Sequence, residues 1–164
     1  MLATDLAVVR RAALAGDDGL VARLFADSRP DLDLLPADVR RTLLDVQVRA
    51  QQAQYAQTYP RARHEIVVAG GKDVGRIIID AAEDETRVVD LVVAREHRGR
   101  GIASAVLNDV LGEAERLGSP VTLSVWRTNL PALHLYERLG FVSVGADATR
   151  IEMRRAPQHT EDRA

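Results

Sequence analysis

Hydrophobic and polar positions follow two rhythms along this chain, and the places where the rhythm changes divide it into helices and strands. Residues 5–12 (D-L-A-V-V-R-R-A) are rich in apolar and β-branched side chains and predict a first strand. Gly16-Asp17-Asp18 then offers a helix start, and Leu20, Val21, Leu24 and Phe25 follow at helical spacing. Pro30 and Pro36 bracket a connector. A second helix is expected from Pro36 to about Tyr59, with Val39, Leu43, Val46 and Ala50 on one face, and Pro60 stops it. The period then shortens. Residues 65–69, 74–80 and 86–94 are β-branched runs separated by Gly70-Gly71 and by the acidic A-A-E-D-E, which predicts an antiparallel meander. From Gly101 to Leu117 the rhythm is helical again, with Ile102, Val106, Val110, Ala114 and Leu117 on one face and Gly118 at the stop. Residues 120–126 read as a strand, Asn129–Leu139 as a short helix ended by Gly140, and 141–144 and 149–153 as closing strands. The order β-α-α-β-β-β-α-β-α-β-β predicts an α+β fold around a mixed, mostly antiparallel central sheet flanked by helices.

Composition narrows the functional classes. A chain of 164 residues has one domain's length and can bury a sizeable core, so residues 1–155 are expected to form a single domain and 156–164 a polar, disordered tail. The formal net charge is -2, which gives no general field for polyanions, and no nucleic-acid partner is expected. The absence of cysteine excludes disulfides, thiolate metal sites and cysteine nucleophiles. His64, His97, His134 and His159 lack ligand spacing, so no metal is expected. The first residues lack the apolar core of a signal peptide, and no run approaches the ~18–20 apolar residues of a membrane span. The expectation is a soluble cytoplasmic protein with no membrane partner.

Two segments carry chemistry. Arg98–Ser104 reads R-G-R-G-I-A-S and lies between a strand and a helix. Glycines two apart let backbone approach a ligand, and the helix start adds unpaired N–H groups and partial positive charge. Such a turn suits phosphate or pyrophosphate, although glycine turns that merely start a helix are common. The dinucleotide fingerprint counted from Gly99 would need glycine at 104, where Ser104 stands, and no P-loop is present. The second segment is Asn129–Phe141, N-L-P-A-L-H-L-Y-E-R-L-G-F. Asn129 is a good N-cap and Pro131 is tolerated in a first turn, so a purely structural helix also accounts for it.

Together the segments resemble the GNAT superfamily of acyl-CoA-dependent N-acetyltransferases. The pattern Q/R-x-x-G-x-G/A appears as Arg98, Gly101 and Ala103, and N-x-x-A-x-x-L-Y-x-x-x-G-F as Asn129, Ala132, Leu135, Tyr136, Gly140 and Phe141. The approach L-V-V-A-R-E-H is similar to that family's fourth strand, and the resemblance spans roughly residues 64–155. It implies acetyl-CoA as donor and a primary amine of a small molecule or peptide as acceptor. It implies that amides of Arg98, Gly99, Arg100, Gly101, Ile102, Ala103 and Ser104 hold the pyrophosphate. It further implies that the backbone of Leu91, Val92 and Val93 meets pantetheine and polarises the acetyl carbonyl, that Asn129 and Ala132 flank the arm, and that Tyr136 protonates the departing thiolate. A homodimer is common in the superfamily and is allowed here.

The base is not supplied by the resemblance. Some relatives carry a glutamate early in the fourth strand, and that position falls at Arg87. Asp90 is the nearest carboxylate in the strand and the candidate base, with a solvated or ion-paired aspartate as the alternative. A water-relayed path needs no carboxylate. Trp126, Gln51 and Tyr55 are candidate acceptor-binding residues. For Trp126 a core position is the safer reading, and for Gln51 and Tyr55 a polar helix face with packing tyrosines is the structural alternative. A non-catalytic acyl-CoA-binding regulatory module is the competing functional class.

Overall fold

The computed structural model describes residues 6–158. Their elements are β1 (Val8–Ala12), α1 (Asp18–Asp27), α2 (Ala37–Thr58), β2 (Arg63–Ala69), β3 (Lys72–Ala81), β4 (Thr86–Val93), α3 (Ile102–Arg116), β5 (Val121–Trp126), α4 (Leu130–Arg138), β6 (Val142–Ala146) and β7 (Arg150–Arg155), with short 3-10 turns at Ala15–Asp17, Pro30–Leu32 and Arg95–His97. The expected order of elements is therefore observed. Asp5 of the expected first strand and residues 159–164 of the expected tail lie outside the described residues.

Hydrogen-bonded neighbours in the sheet run β1-β2-β3-β4-β5-β7-β6. The connections 70–71 and 82–85 are too short for parallel crossovers, so β2, β3 and β4 form an antiparallel meander. β4 and β5 pair in parallel, through α3, and β5/β7 and β6/β7 are antiparallel. The β4/β5 register runs over Thr86–Val88 with Val121–Leu123, while β4 itself continues to Val93. No helix among the described residues is long and apolar enough to cross a membrane.

By contacts the chain forms two compact units. The first contains the described residues up to Ile78 together with Asp90–Ala103. Its core includes Leu24, Phe25, Ile66, Val67, Val74 and Ile77, all buried. The expected apolar face of α2 is corrected here. Val39 and Val46 are 48% and 60% exposed, and no residue of α2 is fully buried. Leu43 of the expected face is half-buried, and the half-buried stripe otherwise runs through Leu44, Val48, Gln51 and Tyr55, at intervals of four, three and four. These intervals also follow a helix turn, and a weakly amphipathic sequence does not separate two stripes offset by one position.

The second unit contains Ile79–Val89 and the described residues from Ser104. In α3 the side chains of Val106, Leu107, Val110, Leu111 and Ala114 are buried at helical spacing. The helix ends at Arg116, so Leu117, expected on that face, lies beyond it and is 74% exposed. Val121, Leu123 and Val125 of β5 bury alternate side chains, joined by Phe141 and Met153.

Candidate active-site residues

In the first unit, β4 delivers the chain into Arg98–Ala103. Gly99 and Gly101 have φ of 75° and 76°, and a Cβ added at either would meet nothing within 4 Å. The glycines are therefore required for left-handed backbone rather than for room. The turn leads directly into α3 at Ile102, whose first N–H groups lack intrahelical partners. The geometry gives backbone donors and a helix N-terminus in one place, as a pyrophosphate requires.

The arginines beside it are not equivalent. The Arg98 Nε donates to the Val93 carbonyl at 3.0 Å, and its Nη2 donates to the Asp27 carbonyl at 3.2 Å. Asp27 also accepts the Arg95 N–H at 2.9 Å. Both side chains are exposed, but these bonds make Arg98 tie the loop to the ends of β4 and α1. This fixing role of the Arg98 side chain has no signature in the linear sequence and needs the fold.

Asp90 is ion-paired. Its Oδ2 accepts from Arg76 Nη2 at 2.6 Å, and Gln51 Oε1 lies 3.3 Å from the same nitrogen. Arg76 is 2% exposed, and its Nε and Nη1 have no hydrogen-bond partner. His64 is half-buried beside this pair. Burial, then the Arg76 charge, push its pKa below the ordinary 6.5, and Asp90 opposes them. The structure therefore brings Gln51 and Asp90 onto one guanidinium. The one signal of Arg76 in the sequence is a lone charge inside the apolar run V-G-R-I-I-I, and its partner Asp90 cannot be read from it.

In the second unit, Asn129 caps α4, its Oδ1 accepting the Ala132 N–H at 3.3 Å. At the other end, Phe141 N–H donates to the Tyr136 carbonyl at 3.0 Å and Gly140 N–H to the Glu137 carbonyl at 3.1 Å. These two bonds, with Gly140 at φ 89°, are a Schellman stop. The rings of Phe141 and Tyr136 are 5.8 Å apart at 59°, and Phe141 is 2% exposed. The spacing Tyr136, Gly140, Phe141 is thereby explained: the stop anchors the aromatic partner that orients Tyr136. Trp126 is not the core residue that the sequence favoured. It is 50% exposed, because it is the last residue of β5, and the Arg150 guanidinium stacks 4.1 Å above its ring. Arg87 of β4 pairs with Glu152 of β7.

Two hollows on this unit lie away from Asn129 and Tyr136. One of about 440 Å³ is lined by Asn108, Leu111, Gly112, Glu115 and Arg138 among others, and includes neither Asn129 nor Tyr136.

A model of the GNAT acetyltransferase family matches residues 33–141. The chain belongs to the GNAT acetyltransferase family. Among curated relatives, N-acetyltransferase 8B of Homo sapiens is 35% identical over 91 residues, 53% of this chain and 40% of that protein. Streptothricin acetyltransferase of Streptomyces lavendulae is 37% identical over 62 residues, 37% of this chain and 33% of that protein. The matched stretches thus span well under half of those relatives. The PaiA N-acetyltransferase of Thermoplasma acidophilum, solved in complex with coenzyme A, superposes with a TM-score of 0.70 at 14% identity, covering 92% of this chain and 99% of that one. Nourseothricin acetyltransferase gives 0.63 at 20% identity, covering 93% and 99%. At these identities the structures establish the GNAT fold.

Proposed function

We propose that this GNAT protein transfers an acetyl group from acetyl-CoA to a primary amine of a small molecule or peptide. The observation that carries the reading is the β4/β5 ladder, which stops at Val88 although β4 continues to Val93. The backbone of Leu91–Val93 is left without that partner and can hydrogen-bond an extended pantetheine arm as a strand would. The Arg98–Ser104 turn, with its two left-handed glycines, suits the pyrophosphate. Asn129 and Ala132 are assigned to the arm.

The acceptor nitrogen attacks the thioester carbon, the C–N bond forms, and the tetrahedral oxyanion is held by β4 backbone N–H groups; one such donor is worth about 3–4 kcal/mol in comparable sites. The C–S bond then breaks, and the thiolate takes the Tyr136 hydroxyl proton. Asp90 was the candidate base, and its pairing changes that assignment. Protonating it would strip a buried guanidinium of its counter-ion, so we assign Asp90 to Arg76 and the acceptor's proton to water. Relay through water suits an α-amine near pKa ~8 better than a lysine-type amine near ~10.4, since deprotonation at pH 7 costs about 1.4 against about 4.6 kcal/mol. Half-exposed Trp126, with Gln51 and Tyr55 on the inner stripe of α2, are assigned to the acceptor.

Thermal unfolding tests the donor. Acetyl-CoA at about a hundredfold excess over Kd is expected to stabilise the fold by about 2.7 kcal/mol. No shift at saturating acetyl-CoA would remove the donor from the account.

A further inference from the structure

Gly75 is the one residue without a side chain in the buried run Val74–Ile79 of β3. A Cβ built on it would lie 2.5 Å from the Val92 carbonyl oxygen, 3.4 Å from Val93 Cα and 3.5 Å from Val67 Cβ. The first distance is far inside the ~3.5–4.0 Å of favourable carbon contact. Gly75 does not have positive φ, so its requirement is room and not left-handed backbone.

The direction of that approach matters. In a regular ladder the carbonyls lie in the sheet and Cβ atoms stand out of it, so a neighbouring carbonyl does not meet a Cβ position. The Val92 carbonyl has therefore turned out of the ladder, to the face where a side chain at 75 would stand. A glycine inside a strand commonly marks such an approach. The peptide unit is planar and trans, so the Val93 N–H turns to the opposite side. β4 is pinned on both sides of this tilt. The Ala94 N–H donates to the Val74 carbonyl at 2.8 Å, and Asp90 is held by Arg76 at 2.6 Å. A methyl at 75 could not be relieved by sliding the strand.

We infer that Gly75 is a positioning residue: its missing side chain lets the Val92–Val93 peptide turn out of the ladder and aim the Val93 N–H at the thioester carbonyl. The inference rests on the reading that Leu91–Val93 bind the acetyl donor. Gly75→Ala forces the peptide back or displaces it, and the donor strand loses its aimed N–H.

The test compares two ligands on the wild type and Gly75→Ala: acetyl-CoA, and the nucleotide half of coenzyme A without its pantetheine arm. The variant is expected to bind the nucleotide half as the wild type does, to bind acetyl-CoA more weakly, and to lose roughly 100-fold in kcat, the loss seen when one oxyanion donor is removed. Unchanged acetyl-CoA affinity and kcat would overturn the inference, and so would parallel weakening of both ligands, which marks general damage. A wild type that binds the nucleotide half but gains nothing from the arm overturns the donor-strand reading itself. If Gly75→Ala does not fold, Gly75→Ala/Val92→Gly carries the same comparison, because glycine frees the 92 carbonyl to swing from the methyl. That double variant is expected to keep the nucleotide half and lose turnover; wild-type turnover overturns the inference.

Discussion

Asp90→Asn removes the carboxylate charge that Arg76 holds at 2.6 Å. The Arg76 side chain is 3% exposed and that of Asp90 18%, so the guanidinium carries most of the burial. Two of its nitrogens already lack partners, and water reaches it too little to replace the lost charge. Breaking a buried pair costs about 3–5 kcal/mol, and the partial exposure of Asp90 places this one near 3. With a urea m-value of about 1.5 kcal/mol/M, the unfolding midpoint is expected to fall by about 2 M. Arg76→Met/Asp90→Asn removes both charges and is expected to recover most of that loss, since the penalty belongs to an unpaired buried cation. The assay is urea unfolding of the two single variants and the double. A change within about 0.5 kcal/mol for Asp90→Asn, the range of ordinary surface substitutions, would refute the reasoning. So would a double variant as unstable as the single. The same protein answers the mechanistic question. Held below its unfolding midpoint, Asp90→Asn is expected to keep the shape of the wild-type pH–rate profile; loss of the limb set by a base would return Asp90 to that role.

Three further outcomes follow from individual residues. Tyr136→Phe is expected to keep acetyl-CoA affinity and lose turnover, read by calorimetric titration beside steady-state rates; unchanged turnover removes Tyr136 from the mechanism. Asn129→Ala removes the α4 cap and is expected to cost about 1 kcal/mol by chemical denaturation. His64 has a folded pKa below its ordinary 6.5, so the unfolded chain binds the proton more readily and stability rises with pH there. Its contribution is full above 6.5 and is lost as pH falls through the lower folded value. His64→Gln is expected to flatten thermal stability over that window, and an unchanged slope would show that His64 does not carry it.

The element order was legible because strand and helix periods differ sharply on either side of Tyr59 and Gly101. The facing of α2 was not: Val39 and Val46 suggested one stripe, but the inner face is offset by one residue. Trp126 was misplaced because hydrophobicity does not say that a strand ends at that residue and leaves its ring half in solvent. The two glycine-bearing segments were visible as spacing, and the structure supplied their physical content: left-handed turns at Gly99 and Gly101, and a Schellman stop holding Phe141 on Tyr136. The Arg76–Asp90 pair and the close approach at Gly75 were hidden, since both arise between strands and leave no periodic trace within either.

The most direct test of the central claim is thiol release from acetyl-CoA across a panel of primary amines, with each product identified by mass spectrometry. The account predicts amine-dependent release with formation of the N-acetylated amine, strongest for amines of low pKa and abolished by Tyr136→Phe. Tight acetyl-CoA binding with no acetylated product from small-molecule or peptide amines would contradict it and leave a module that binds the donor without using it.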